Sequence, residues 1–188
     1  MVLRQEERKC FFSNWLGLLA YVNDKHKIVK DFGKPKSAVG LKLESIIGIK
    51  NKLWQNIEII DEYIDSIRDL SKNDIRIIKS WKKGISGSFI ILKHLKKYTV
   101  FFYEKESVLY GVHGITSPIS EMIPLRNLPV MTNTTLLPYK DIIIYDSIFQ
   151  SYNVSFGPSI RREYNYKYRK IKDEKGIIDS LEGMVKTI

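Results

Sequence analysis

The stretch 128–157 reads LPVMTNTTLLPYKDIIIYDSIFQSYNVSFG and carries the densest β-strand signal in the chain. Its first part, 130–137, contains three threonines and a valine, residues that suit a pleated, half-buried surface. Turn residues follow at 138–141, and the apolar run 142–145 is short enough to indicate a strand covered on both faces. A last alternation of apolar and polar residues runs over 152–156. The stretch therefore predicts two or three consecutive strands.

Three more strands are predicted upstream of this stretch. They are SGSFIILKHL at 86–95, KKYTVFFYEK at 96–105 and SVLYGVHGI at 107–115. Their short connections are typical of an antiparallel meander. Five or six short strands within about 70 residues favour a small barrel, since closure of the sheet removes exposed edges.

The residues before the strands predict helices. Apolar residues recur at three- and four-residue spacing over 5–24 and 43–67, with a break near 55–56, and Ser71 opens a further helix with a capping box. A basic helix is predicted at 159–175, with Ile160, Tyr164, Tyr168 and Ile171 as its inward seam. We therefore expect an α+β protein. Its helical subdomain of three or four helices covers 1–84, and a small antiparallel, barrel-like subdomain with the terminal helix covers 85–188.

Composition narrows the class of protein. The 188 residues include one cysteine, Cys10, which excludes an intramolecular disulfide and a cysteine-based zinc site and favours a reducing compartment. The N-terminus has no signal-peptide core, and no apolar run approaches the length of about 20 residues that spans a bilayer. We expect a cytoplasmic protein with no membrane partner, no cofactor and no bound metal.

The net charge of +10 suggests an anionic partner. The positive charge has a second explanation. The chain has 23 lysines, only eight arginines and many isoleucines and asparagines, and this composition is also typical of an AT-rich coding sequence. The distribution is more informative: 76–97 has no acidic residue, and the terminal helix is strongly basic. Arg161 and Arg162 either form a phosphate site at a helix N-terminus or pair with a buried carboxylate such as Asp146. The predicted anion-binding residues are Arg161, Arg162, Arg169, Lys170, Lys93, Lys96 and Lys97, with Tyr166 as an exposed aromatic that could stack on a base.

The sequence has no recognisable catalytic constellation. His113 could act as a general base oriented by Asp146, but no nucleophile or oxyanion device accompanies them, and a histidine satisfied by one hydrogen bond is the simpler interpretation. We therefore predict no catalytic residues. The leading hypothesis is a non-enzymatic cytoplasmic binding module with an anionic partner, nucleic acid above all. The alternative is a protein-interaction module whose basicity is compositional, and a hydrolase-type enzyme ranks third.

Several segments together resemble a known group of proteins. They are WKKGISGSFIILKHLKKYTVF, LYGVHGI, LLPYKDIIIYDS, YNVSFGPSIRR and GIIDSL, with KLW and IIDEYID in the helical half. In these segments the chain is similar to an uncharacterised bacterial family common in low-GC Gram-positive organisms. The resemblance extends over most of the chain and implies the helical and barrel-like halves and a bacterial context. That family has no established activity, so the resemblance implies no catalytic residues.

Overall fold

The computed structural model describes residues 2–30, 32, 43–152 and 156–181. Two compact units are present, one formed by Arg4–Lys82 and the other by Met1–Leu3 together with Lys83–Ile188. The first unit is helical and the second holds a closed β-barrel and a terminal helix, which confirms the α+β class. The segment 25–40 has two glycines, a proline and five lysines, which predicts a loop between helices; residues 31 and 33–40 of it lie outside the described part.

The helical unit contains four helices. They are α1 (Gln5–His26), α2 (Leu43–Gln55), α3 (Ile59–Ser66) and α4 (Lys72–Ser80). The predicted break separates α2 from α3. At the start of α4 the amide of Asp74 donates to Ser71 Oγ at 3.1 Å, and the Ser71 hydroxyl donates to the Asp74 carboxylate at 2.6 Å. These bonds confirm the capping box, and together with a bond from Asn14 they hold the pKa of Asp74 below its ordinary value.

Aromatic side chains form the centre of this unit. Trp15 stacks on Trp54 with 5.9 Å between ring centroids, and Trp81 meets the Trp15 ring edge to face at 5.7 Å. Phe11 adds a stacked contact with Trp15. Phe11, Trp15 and Trp81 are almost completely buried, so the aromatic stripe of α1 is structural.

The second unit is a barrel of short strands. In chain order its elements are β1 (Ile85–His94), β2 (Thr99–Tyr103), β3 (Val108–Val112), α5 (Ile119–Met122), β4 (Val130–Tyr139), β5 (Ile142–Tyr145), β6 (Gln150–Ser151) and α6 (Pro158–Lys175). Five strands close a ring in the order β1-β2-β3-β5-β4-β1, and β6 pairs with β4 outside the ring. Four of the pairings in the ring are antiparallel, whereas β3 and β5 run parallel through Val112 and Ile143. The barrel is therefore mixed, whereas the sequence predicted only antiparallel pairings. The last predicted strand, 152–156, is not observed at its described residues 152 and 156, and 153–155 lie outside the described part; the short strand β6 lies just before it.

Side chains alternate between the inside and the outside of the barrel. Inside, Phe89 meets Phe101 and Tyr110 at centroid distances of 6.2 and 6.4 Å. Outside, α6 packs on the face formed by β1, β2 and β3. That outer cluster comprises Ile90, Leu92, Val100, Phe102 and Leu109 from the strands, with Tyr168 and Ile171 from α6.

The inward seam of α6 begins one residue later than predicted. Ile160 is 43% exposed, whereas Arg161 is half-buried and precedes Tyr164, Tyr168 and Ile171 at alternating three- and four-residue spacing. The prediction for Ile160 was therefore wrong. Arginine takes the inward position because its guanidinium reaches backbone carbonyl groups that an isoleucine would leave without a hydrogen bond.

Candidate anion-binding pocket

A pocket of about 300 Å³ lies between α6 and the barrel. Its polar lining consists of Lys93 and His94 from β1 and Arg161 and Asn165 from α6. Its apolar lining consists of Leu92, Leu125, Leu128, Pro129 and the ring of Tyr164. None of the described residues that line the pocket is acidic, so the cavity combines two cations with an apolar wall.

An irregularity in β1 places Lys93 at the pocket. Ile91 pairs with Phe101 and Lys93 pairs with Val100, so Leu92 is an extra residue in the strand. Such a bulge changes the direction of the side chains around it. As a result Leu92 and its neighbour Lys93 both line the cavity, and Lys93 Nζ lies 4.7 Å from the centroid of the Tyr168 ring.

Arg161 is held by the backbone. Its Nε donates to the carbonyl oxygen of Phe156 at 2.8 Å, and its Nη1 donates to that of Leu128 at 2.6 Å. The predicted alternative, an ion pair with Asp146, is not formed. Among the described residues Nη2 has no hydrogen-bond partner, so the protein leaves that end of the guanidinium unused.

His94 lines the pocket without contributing charge. Its Nε2 lies 2.9 Å from the carbonyl oxygen of Ile123, which can only accept, so Nε2 donates this hydrogen bond. Its Nδ1 lies 2.9 Å from Thr99 Oγ1 and can accept from that hydroxyl. Burial lowers the pKa of His94, so the ring stays neutral and both nitrogens are occupied by the protein.

The remaining predicted residues of the terminal helix lie on its exposed side. Arg162, Arg169 and Lys170 are exposed, and Tyr166 is 67% exposed. At 3.6 residues per turn, Asn165 and Arg169 follow Arg161 in one row at four-residue spacing. A basic flank, comprising Arg161, Arg162, Asn165, Arg169 and Lys172, therefore leads away from the pocket, and Asp173 lies one turn beyond Arg169.

The acidic residues of α6 lie mainly on the opposite flank. Lys167 Nζ lies 2.8 Å from Glu163 and 2.9 Å from Glu104, and these bonds raise the pKa of Lys167. This lysine is neutralised within the protein. The two flanks of α6 therefore differ in net charge, and the pocket opens on the basic one.

The predicted lysines of the β1–β2 turn do not line the pocket. Lys96 is exposed, and Lys97 Nζ lies 2.7 Å from an Asp179 carboxylate oxygen, which raises the pKa of Lys97. Of the eight predicted residues, the structure thus brings only Lys93 and Arg161 together in one cavity.

His113 and Asp146 do not form a catalytic pair. Both are buried, and neither ring nitrogen of His113 has a hydrogen-bond partner in the part of the chain that the structure describes. Asp146 instead accepts from the Thr134 hydroxyl at 2.9 Å. Burial lowers the pKa of His113, so its imidazole is held neutral and without access to a substrate.

Most of the aromatic residues of the barrel are unavailable for stacking on a base. Phe102, Tyr103, Tyr110 and Tyr168 are all less than a tenth exposed. Tyr164 is half-buried at the pocket, where burial raises its pKa. Tyr166 is the exposed aromatic of α6, as its position off the apolar seam suggested.

Sequence reasoning missed half of the polar lining. Neither His94 nor Asn165 is among the predicted binding residues. One signal was present, because Lys93 and His94 adjoin near a strand end and Asn165 lies one turn after Arg161. The separation of 71 residues between His94 and Asn165 hid their proximity.

The described residues offer neither a metal-ion site nor a membrane-spanning helix. No group of three or more histidine, cysteine, aspartate or glutamate side chains there is placed to hold a metal ion. Asp61, which faces the same side of α3 as Asp65 and could with it suggest a cation site, forms an ion pair with Lys82 at 2.5 Å. Within the same residues, every helix is too short or too polar to cross a bilayer.

Comparison with family models, curated proteins and solved structures found no match for the chain.

Proposed function

We propose that this protein is a non-enzymatic cytoplasmic binding module whose partner is single-stranded nucleic acid. The observation that carries the proposal is the pocket, which brings Lys93 and Arg161 together with no acidic residue among its described lining. Anionic phosphate groups are the ligands that lysine and arginine bind best at such a site. The basic flank of α6 extends this surface, so a strand can continue from the pocket along the helix.

Exposed aromatic and apolar groups support a single strand over a duplex. Tyr166 offers a ring to an unstacked base, and the apolar side of the pocket offers a surface to a sugar or base. Bases are available for such contacts only where they are not paired. Small five-stranded barrels such as the OB-fold are common scaffolds for single strands, although a shared architecture does not by itself choose the ligand.

The second candidate function is a protein-interaction module. It is favoured by Leu125, which is 73% exposed at the pocket, and by Ile160, which is 43% exposed near the start of α6. It is also favoured by lysines such as Lys97 and Lys167, whose charges are neutralised by carboxylates of the same chain. On this reading the excess of lysine reflects composition and the pocket receives a peptide.

The salt dependence of binding separates these two functions. Contacts with about four to six phosphates of a single strand predict a plot of log K against log salt with a slope of about −3 to −4. The double variant Arg162→Gln/Arg169→Gln removes two of those contacts and is expected to make the slope shallower by about 1.4. The measurement is fluorescence anisotropy with a labelled oligonucleotide at several salt concentrations.

The matched control is Arg68→Gln/Arg76→Gln. It removes the same two charges, also from exposed arginines, but in the helical unit. We expect this control to keep the slope of the unchanged protein. Equal losses from the two double variants would show that binding follows net charge alone, and the proposal would then be wrong.

A further inference from the structure

The pocket carries more positive charge than an internal phosphate of a strand requires. Lys93 contacts the Tyr168 ring and Arg161 contacts two carbonyl groups, and neither is paired with a carboxylate of the described chain. His94 is neutral and its nitrogens are both occupied. The ligand that fits two unneutralised cations therefore carries nearly two negative charges at one point.

The internal and the terminal phosphate groups of a nucleic acid differ in charge. An internal phosphodiester carries one negative charge, whereas a terminal phosphomonoester carries about −1.5 to −2 at pH 7 because its second pKa is about 6. A monoester also offers three oxygens as acceptors. Charge matching and acceptor number both favour the terminal group.

The geometry of Arg161 is set before a ligand arrives. Two backbone carbonyls hold its guanidinium through Nε and Nη1, so the remaining Nη2 donor keeps one orientation. The bulge in β1 likewise places Lys93 at the same cavity. A site formed in advance loses little conformational entropy when the ligand binds, which favours a small, well-defined group.

The rest of the pocket suits the nucleoside attached to that phosphate. Its volume of about 300 Å³ is at the lower end for small-molecule sites, so it holds one unit and not several. Leu125, Leu128 and Pro129 supply an apolar wall, and Tyr164 adds an aromatic ring. Asn165, on the side of the basic flank, adds an amide that can both donate and accept.

From these observations we propose that the pocket binds the phosphorylated end of a nucleic-acid strand, with the terminal phosphate at Lys93 and Arg161 and the terminal nucleoside against the apolar wall. This inference rests on the proposed function, because it names the part of the strand that enters the pocket. The next nucleotides then leave along the basic flank of α6.

The test compares three labelled oligonucleotides of one sequence, carrying a 5′-phosphate, a 3′-phosphate or hydroxyls at both ends. We expect one phosphorylated form to bind at least about tenfold more tightly than the hydroxyl form, since charge-assisted hydrogen bonds are strong. The preference should decrease between pH 7 and pH 5, because the phosphomonoester gains a proton with a pKa of about 6.

Two variants assign the preference to the pocket. Lys93→Gln removes one cation, and Asn165→Asp places a carboxylate beside the site at an exposed position. Both should abolish the preference for a phosphorylated end and leave the Tm close to that of the unchanged protein. The matched control Lys96→Gln changes the same residue type three positions away, outside the pocket, and should retain the preference.

The possible results distinguish this inference from the proposed function. Equal binding of all three oligonucleotides, still weakened by Arg162→Gln/Arg169→Gln, would overturn the inference and leave the proposed function in place. If no oligonucleotide binds, both fail. If a phosphoserine peptide binds as tightly as the phosphorylated oligonucleotide and depends equally on Lys93, the assignment to nucleic acid is wrong.

Discussion

Arg161 and Arg162 are adjacent arginines with different structural roles. Arg161 bonds two backbone carbonyls and lines the pocket, whereas Arg162 is exposed and its Nη2 is 3.5 Å from Ser159 Oγ. The sequence suggested one phosphate site made by both. In the structure Arg161 both lines the pocket and bonds the backbone, so the two arginines must be tested separately.

Replacement of Arg161 by glutamine is expected to destabilise the barrel unit. The carbonyls of Phe156 and Leu128 would lose charged donors, which we expect to lower the free energy of unfolding by about 2–4 kcal/mol. Arg162→Gln is the matched control and should change it by less than about 0.5 kcal/mol. Urea unfolding followed by circular dichroism measures both, and equal small effects would contradict the role assigned to Arg161.

The helix α6 packs on the barrel through an apolar face, although most of its residues are charged or polar. It is strongly basic, yet Tyr168 and Ile171 pack on the outer cluster of the barrel, and Phe102 meets the Tyr164 ring at 6.2 Å. The helix thereby covers the outer surface of β1, β2 and β3. On this side of the barrel the pocket lies at the edge of α6.

Two isoleucine substitutions in α6 test which face packs. Ile171 is 7% exposed, so Ile171→Ala should lower the free energy of unfolding by about 2–4 kcal/mol. Ile160 is 43% exposed, and Ile160→Ala should cost less than about 1 kcal/mol. Both variants make the same chemical change in the same helix, so each is the control for the other when urea unfolding is measured. A larger cost at Ile160 would restore the seam predicted from the sequence.

For the whole molecule, two histidines of the barrel unit, the half-buried His94 and the buried His113, make stability depend on pH. Burial lowers the pKa of both His94 and His113 in the folded protein. In the unfolded chain a histidine binds a proton near pH 6.5. The unfolded state therefore binds more protons between that pH and the lower folded values, so stability is greatest above pH 6.5 and falls as the pH decreases through this window.

The variant His113→Leu tests this dependence. The unchanged protein should be less stable at about pH 5.5 than at about pH 7.5, and the variant should show a smaller difference because one titrating group is gone. The control Leu109→Ala truncates a buried residue without a titratable group and should lower stability equally at both pH values. Denaturant unfolding, followed by the amide signals of the barrel, measures the free energy of unfolding of the unchanged protein and of both variants. An unchanged pH dependence in His113→Leu would exclude His113 as a source.

Local patterns in the sequence determined the class of fold. Period-two alternation marked β1 to β5, spacings of three and four marked the helices, and Ser71 with Asp74 marked the start of α4. These features depend on residues within one or two turns of each other, so they can be read without knowledge of distant contacts. The charge of the terminal helix and the exposure of Tyr166 are likewise properties of one element.

Only the tertiary structure decided how these elements combine. The parallel pairing of Val112 with Ile143 closes the barrel, and Lys93 meets Arg161 in one pocket although 68 residues separate them. It also decided that Arg161 and not Ile160 faces inward. A periodic pattern specifies the spacing of the residues on the inward face of a helix. The hydrogen bonds from Arg161 to the carbonyls of Leu128 and Phe156 determine that this face begins at Arg161. Phe156 is a near neighbour of Arg161 in the sequence, but Leu128 lies 33 residues away, and only the folding of the barrel unit brings it within hydrogen-bonding distance.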